Sequence, residues 1–527
     1  MSETELDAPR VGADGLPPRA DRSATFIGAF ALAASVADRL AAFGLIVLIA
    51  SIYGSSYIAD RYFIASIGPL LLGSVLGQTL ASSVLPLLVR QGGTSGRRLL
   101  ATGFWLASAL LIVATLAYAA VAALVARVGA PAGSTNLGPW LAFAPIVFLL
   151  GISGYLTAVL LHEQRYVWPP FRTAAASLGA LVFAGTVLPF THRLTVVALA
   201  VTAGYALSCG LLILETGEKP SLFAVPDRRS LHEFAALWRK AGVAGLSSLL
   251  GGQAFVLVER TLAASAGVGA VATISYARGI AFAPNVIGQA ISTGVYPSMV
   301  RAHERNEPEV VREAFVRSLR LTLFLAIAFA SYFALFGSPL TGALLQRGAF
   351  GAAASSETGR VLSVFALALA ANLLLILTSR VFFAADFFSA ALWCQGVVLV
   401  VYVAIALPLR EALGLRGLAL AFGLGEMAGA LTGVVLAARH LRLSGWELVV
   451  ETLVPAARRA AIVLLALIGY RVVVNRSGVA IAYSGVVHVG GSLAVLGLTS
   501  GLSLWRAGWS ETERVKRVLR ASLARVR

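Results

Sequence analysis

Fourteen apolar runs, set apart by short polar breaks, fill most of the chain between residues 25 and 505. They cover residues 25–50, 61–89, 99–126, 138–161, 173–190, 194–214, 241–264, 269–300, 319–345, 361–384, 388–409, 414–438, 457–474 and 478–505. A helix needs roughly 20 residues to cross the hydrocarbon core of a bilayer, and these runs are close to that length. The pattern predicts an all-α polytopic membrane protein of about 14 transmembrane helices. The longest polar break, residues 215–240, falls near the middle and reads as a joint between halves. Residues 1–23 are polar, contain Pro9, Pro17 and Pro18, and lack the apolar core and cleavage site of a signal peptide. They read as a disordered cytoplasmic tail.

The second and eighth runs share a sequence. Gly77-Gln78, Pro86 and Arg90 recur as Gly288-Gln289, Pro297 and Arg301, each 211 positions later. A polytopic chain with one helix written twice is built from two similar halves. The expected organisation is an N-lobe over 24–215, a cytoplasmic linker over 216–240 and a C-lobe over 241–440. These make two pseudo-symmetric six-helix lobes. Two further helices follow over 441–505, then a basic amphipathic tail over 506–527. Gln78, Pro86, Gln289 and Pro297 read as scaffold of the repeat, and Gly68, Pro69, Gly279, Pro284 and Gly288 permit bending.

Composition agrees with the periodicity: 58% of residues are hydrophobic, 13% are charged and mean hydropathy is +0.83. Soluble domains carry about 25% charged residues. The formal charge of +17 does not point to nucleic acid, because the basic residues sit between apolar runs. With the N-terminus inside, 29 Lys and Arg fall on inner segments and nine on outer ones. That bias predicts both termini in the cytoplasm and gives the second and eighth runs the same direction, so the repeat is parallel. Residues 303–320 are expected to form an amphipathic helix on the membrane surface, with Val310, Val311, Ala314, Phe315 and Leu319 as its apolar face. Cys209 and Cys394 both lie in runs and form neither a disulfide framework nor a metal site.

No catalytic constellation is legible. The six histidines are scattered, and no HExxH, CxxC, P-loop or Gly-rich nucleotide fingerprint is present. What remains is charge inside apolar runs, where charged groups face a cavity or a partner. Arg39 and Arg278 read as cavity-lining cations. Asp60-Arg61 and Glu259-Arg260 are adjacent pairs. Neighbours on a helix point about 100° apart, so each member is expected to have another partner. Glu426, flanked by Gly425, Ala428 and Gly429, reads as a cation or proton site on a closely packed helix, or as the partner of an arginine. Cations inside a two-lobed bundle favour an anionic substrate held by bidentate guanidinium contacts.

Taken together these residues resemble the MurJ/MviN lipid II flippase family of the MOP exporter superfamily. The likeness is carried by Gln253–Arg301, by LLQRGAF (Leu344–Phe350), by SRVFFAADFFSA (Ser379–Ala390), and by DRLAAF with IYGSSYIADRYFIA (Ile52–Ala65). It covers about residues 25–440. The resemblance implies fourteen helices around a cationic cavity. It also implies export of an undecaprenyl-pyrophosphate-linked precursor to the outer leaflet of a bacterial cytoplasmic membrane. By position, Arg39 matches a family arginine of helix one and Asp60 the acid that opens helix two. Other family arginines fall at Leu45, at Leu72 or Gly73, and at Gly279, beside Arg278. The Asn and Asp of a sodium site found in some members have no match in run 388–409. The resulting expectation is a monomeric flippase with Arg39, Arg278, Asp60, Arg61, Glu259 and Arg260 as substrate-binding residues, Arg39 and Arg278 on the pyrophosphate and Arg61 and Arg260 closer to the outer gate. It would need no cofactor and would be driven by membrane potential or an ion gradient. Its partners would be membrane lipids and envelope-synthesis proteins. The alternatives are export of another polyprenyl-linked polysaccharide unit, a small-molecule or cation antiporter, and a non-transporting scaffold for envelope synthesis.

Overall fold

The computed structural model describes residues 19–90, 94–128, 137–165, 167–217, 254–385, 387–476 and 485–506. The described residues are helical almost throughout. The first half comprises α1 (Arg19–Tyr53), α2 (Tyr57–Arg90), α3 (Thr94–Val128), α4 (Gly138–Phe143), α5 (Pro145–His162), α6 (Trp168–Val187) and α7 (Leu194–Glu215). The second comprises α8 (Ala254–Ala264), α9 (Ala270–Ala281), α10 (Asn285–Glu304), α11 (Pro308–Leu345), α12 (Ala352–Ala384), α13 (Phe388–Leu413) and α14 (Leu415–His440). A short turn, α15 (Gly445–Leu448), leads through a π-helical segment (Val449–Leu453) into α16 (Val454–Arg476), and α17 (Gly485–Trp505) closes the described chain.

Among the described residues, eleven stretches are long and apolar enough to cross a membrane. Three of the fourteen expected spans fall outside that set. One is α6. Another is α8, whose upstream half, 241–253, lies outside the described residues. The third is the eighth run, which is broken into α9 and α10 at Phe282–Pro284. Helix α1 starts at Arg19, inside the stretch 1–23 expected as a tail, and residues 1–18 lie outside the described residues. The inter-lobe linker over 218–253 and the basic tail over 507–527 lie outside the described residues.

Helices α1 to α7 pack mainly on one another, with α2 against α5, α6 against α7 and α1 against α6. Helices α9 to α14 form a second body around α12, and α16 and α17 rest on α11. The repeated glycines sit at matching crossings. A side chain at Gly77 would stand 2.6 Å from the Leu150 carbonyl oxygen on α5, and one at Gly288 would strike Leu373 on α12. Small residues therefore let both crossings close. The twins differ in continuity. Helix α2 runs unbroken through Pro69, whereas the chain breaks just before Pro284.

The expected surface helix over 303–320 is not a separate element. Its residues from Pro308 onward are the first turns of the 38-residue α11. Val311, Phe315 and Leu319 are buried in a cluster with Leu375, Leu377 and Phe382 of α12, while Val310 is 46% exposed. Most of the apolar face is thus covered by protein rather than by the membrane surface. Arg312 fixes the same turn, donating to Glu309 at 3.2 Å and to Glu447 at 2.8 Å.

Candidate functional site

The two bodies meet at the end of the bundle where the α1–α2 and α11–α12 connections lie. Gly54 and Gly348 both adopt positive φ (60° and 56°), which glycine adopts without steric cost. Each also lies against backbone across the seam. A side chain on Gly54 would stand 2.5 Å from the Ala349 carbonyl oxygen, and one on Gly348 would strike that of Ser51. The Ala349 amide donates to the Ser51 carbonyl at 2.7 Å, and the Tyr276 hydroxyl donates to the Gly54 carbonyl at 2.9 Å. Ser55 Oγ donates to the Gly269 carbonyl at 2.9 Å and shares a second hydrogen bond with Thr273.

Asp60 completes this seam. It is 6% exposed, and its carboxylate accepts from the backbone amides of Gly269 (2.6 Å) and Ala272 (2.7 Å). Those amides are unsatisfied donors at the N-terminus of α9, where a negative charge is favoured. The carboxylate that opens α2 therefore caps a helix of the other body. Arg61 stacks over the Tyr57 ring at 5.5 Å. Two segments that carry the family resemblance, Ile52–Ala65 and Leu344–Phe350, meet here although nearly 300 residues separate them.

Glu259 and Arg260 diverge as helical geometry requires. The Glu259 carboxylate is 1% exposed and accepts two hydrogen bonds from Arg278, at 2.9 and 2.6 Å. The Arg278 guanidinium is ringed by Phe255, Phe282, Phe365 and Phe422, with centroids 4.3–5.5 Å away. Aromatic faces attract a cation electrostatically, most strongly where water is excluded. Arg278 has no acid beside it in sequence, but it has one in space. Arg260 turns the other way, donating to the Phe63 carbonyl of α2 and lying over the Phe63 ring at 5.6 Å.

Behind this pair runs an amide chain that the sequence did not disclose. Asn285, just after the helix break, donates to Asn372 at 2.9 Å, and Asn372 donates to Glu426 at 3.1 Å. Glu426 is 2% exposed, and the Asn285 Oδ1 atom is buried without a partner. Gly425 and Gly429 bring α14 against the carbonyls of Val398 and Cys394 on α13, as the small-residue pattern suggested. Glu426 is hydrogen-bonded to an asparagine rather than to an arginine. The available signal was two asparagines in otherwise apolar runs.

Arg39 lies apart from Arg278. It is an exposed residue on α1 and lines a groove of about 340 Å³ that is otherwise almost wholly apolar. One wall is α1 and the α9–α10 break, and the other comprises Phe329, Tyr332 and Phe333 of α11 with Leu493 and Leu496 of α17. Gln78 is exposed and Gln289 half-buried. The side chains of Pro86 and Pro297 lie outside the described residues.

A family model described as lipid II flippase MurJ matches residues 49–489. The chain belongs to the MurJ lipid II flippase family. Over 409 residues it is 24% identical to a lipid II flippase MurJ of Burkholderia cenocepacia, covering 73% of this chain and 78% of that one. Over 166 residues it is 30% identical to a probable lipid II flippase MurJ of Rhizobium meliloti, a match spanning about a third (31%) of each chain. Among solved structures, a lipid II flippase MurJ in an inward closed conformation superposes with a TM-score of 0.72 at 16% identity. It covers 90% of this chain and 98% of its own. An inward-facing MATE-family multidrug transporter of the MOP superfamily shares the fold at a TM-score of 0.65 and 15% identity, covering 77% and 94%. Both solved structures share the fold of this chain, and the family model reaches residue 489, beyond the end of α16.

Proposed function

We propose that this protein moves an undecaprenyl-pyrophosphate-linked cell-envelope precursor, lipid II foremost, from the cytoplasmic to the outer leaflet of a bacterial inner membrane. Its two lobes alternate access around the substrate. The observation that carries this reading is the Arg39 groove. A single cation in the wall of an apolar trough between the lobes and the C-terminal helices fits a ligand with an anionic head and a hydrocarbon tail. A small cationic drug would gain nothing from that arginine, which weighs against the antiporter alternative. With both termini cytoplasmic, as the positive-inside bias implies, the Asp60 seam is an outer gate and the lobes are closed on the outside.

Arg278 then meets substrate by exchanging partners. The bidentate contact it makes with the Glu259 carboxylate is one that a phosphate can also accept. The test combines Arg39→Gln with the charge-neutral pair Glu259→Gln and Arg278→Gln, which removes no charge balance from the core. Cells depleted of their own flippase and expressing this variant are expected to accumulate lipid II on the inner leaflet. Normal export by a folded variant would remove Arg39 and Arg278 from the substrate path.

No nucleotide-binding motif is present, and the reading takes the driving force from membrane potential or an ion gradient. Glu426, with the open oxygen of Asn285 nearby, is proposed as the coupling group. Glu426→Gln keeps the hydrogen bond to Asn372 and removes the charge. Export by that variant should lose its dependence on an imposed gradient. An unchanged dependence would exclude Glu426 as the coupling group.

A further inference from the structure

A second space, with three charged residues in its lining, lies between the N-terminal body and α8. It is a chamber of about 340 Å³ enclosed by α1, α2, α5, α6 and α7, with α8 of the other body as its remaining wall. Arg172 and Arg260 both line it, and Asp38 is the one acidic residue among its lining residues. Its wall thus carries two cations and one anion.

Asp38 and Arg172 are held differently. The Asp38 carboxylate accepts from Ser177 Oγ at 2.6 Å. Arg172 is anchored at two points, because its guanidinium donates to Thr157 at 3.2 Å and its carbonyl accepts from Ser208 at 2.7 Å. Its Nε–H is buried and has no partner. A buried charged donor left unpaired is costly, and folded proteins rarely retain one without use. Arg260 enters from the opposite wall, tied to the Phe63 carbonyl by one of its two terminal nitrogens. A guanidinium has five donors in a fixed fork, so both arginines keep donors for a ligand. Ser74, Ser177 and Tyr205 also line the chamber.

We propose that this chamber is an anion station for a phosphate or pyrophosphate group, with Arg172 and Arg260 as its cationic ligands and Asp38 as the competing internal anion. The proposal rests on the flippase reading and adds to it a second place for the head group, walled mostly by one lobe and closed by α8. Arg260 spans the joint, because it sits on α8 and binds α2. An anion in the chamber would therefore draw α8 toward the N-terminal body.

The test uses the full-length protein in lipid nanodiscs and farnesyl pyrophosphate as the probe, with binding read by native mass spectrometry. Inorganic pyrophosphate and farnesol form the two control arms. Arg172→Gln is expected to weaken farnesyl pyrophosphate binding roughly 10- to 100-fold, the loss of one charge-assisted contact. Asp38→Asn retains the acceptor for Ser177 and removes the competing charge, so it should tighten binding by a similar factor. Both shifts should be absent for farnesol. If inorganic pyrophosphate shows the same shifts, the site reads the diphosphate itself; if it does not bind, the site requires the lipid-linked form. Parent-like binding by both variants would overturn the chamber proposal while leaving the flippase reading intact. Failure of the parent protein to bind farnesyl pyrophosphate at all would instead count against the flippase reading. Should Arg172→Gln not fold, the opposite-signed Asp38→Asn result decides alone: weaker or unchanged binding refutes the station.

Discussion

Glu259→Ala is expected to cost about 3–5 kcal/mol, the usual penalty for breaking a buried ion pair by removing one partner. The reason lies in what remains. Arg278 would keep its charge inside a ring of four phenylalanines, largely buried and without the carboxylate that accepts both of its hydrogen bonds. Aromatic faces supply about 0.5–2 kcal/mol to a cation, too little to offset that loss. Thermal unfolding of the purified protein in detergent measures the effect. The double replacement Glu259→Gln with Arg278→Gln should recover most of it, because a buried pair exchanged whole is often close to neutral. A single alanine variant as stable as the parent would mean that the pair is not buried in the resting protein.

Asp60→Ala should act on the gate rather than on the fold. Two hydrogen bonds from backbone amides to a carboxylate are lost, each worth about 1.5–3 kcal/mol when one partner is charged. Because those bonds exist only while the lobes touch at this end, their loss falls on one side of the conformational equilibrium. Roughly a 100-fold shift away from the sealed state follows from even the lower figure taken twice. Thr273 reports it. Its side chain is 4% exposed and bonded to Ser55 within the seam. A Thr273→Cys label site, in a chain whose buried Cys209 and Cys394 have been replaced, should react much faster with an impermeant maleimide once Asp60 is alanine. Asp60→Asn, which keeps acceptor oxygen but no charge, should fall between. Equal protection in all three proteins would show that the seam closes without this carboxylate.

The periodicity of the chain was enough to place almost every helix, because a bilayer imposes one length and one polarity on each span. The divergence of Glu259 from Arg260 was also legible, since it follows from helical geometry alone. The partners were not. Asp60 meets amides 209 and 212 residues later, and Arg278 meets an acid 19 residues earlier on another helix. No local spacing encodes such meetings. Asn285 and Asn372 give no local signal, because one asparagine in an apolar run carries no pattern until the other faces it. The stretch from Val311 to Leu319 shows the opposite limit. Its amphipathic face was evident, but the same face serves equally for lipid or for a neighbouring helix, and only the position of α12 decides between them.

The Arg39 groove has walls that belong to different bodies. Helix α1 belongs to the first lobe, while α11 carries α17 with it on the second. Any rocking of the lobes therefore changes the width of the trough, and a hydrocarbon chain lying in it cannot be a passive passenger. If the proposed substrate lies there, the thickness of its tail would set the smallest angle to which the lobes can close. The tail would then act as a wedge between the bodies, and a thinner or shorter chain would alter the cycle even if every contact to the head group were preserved.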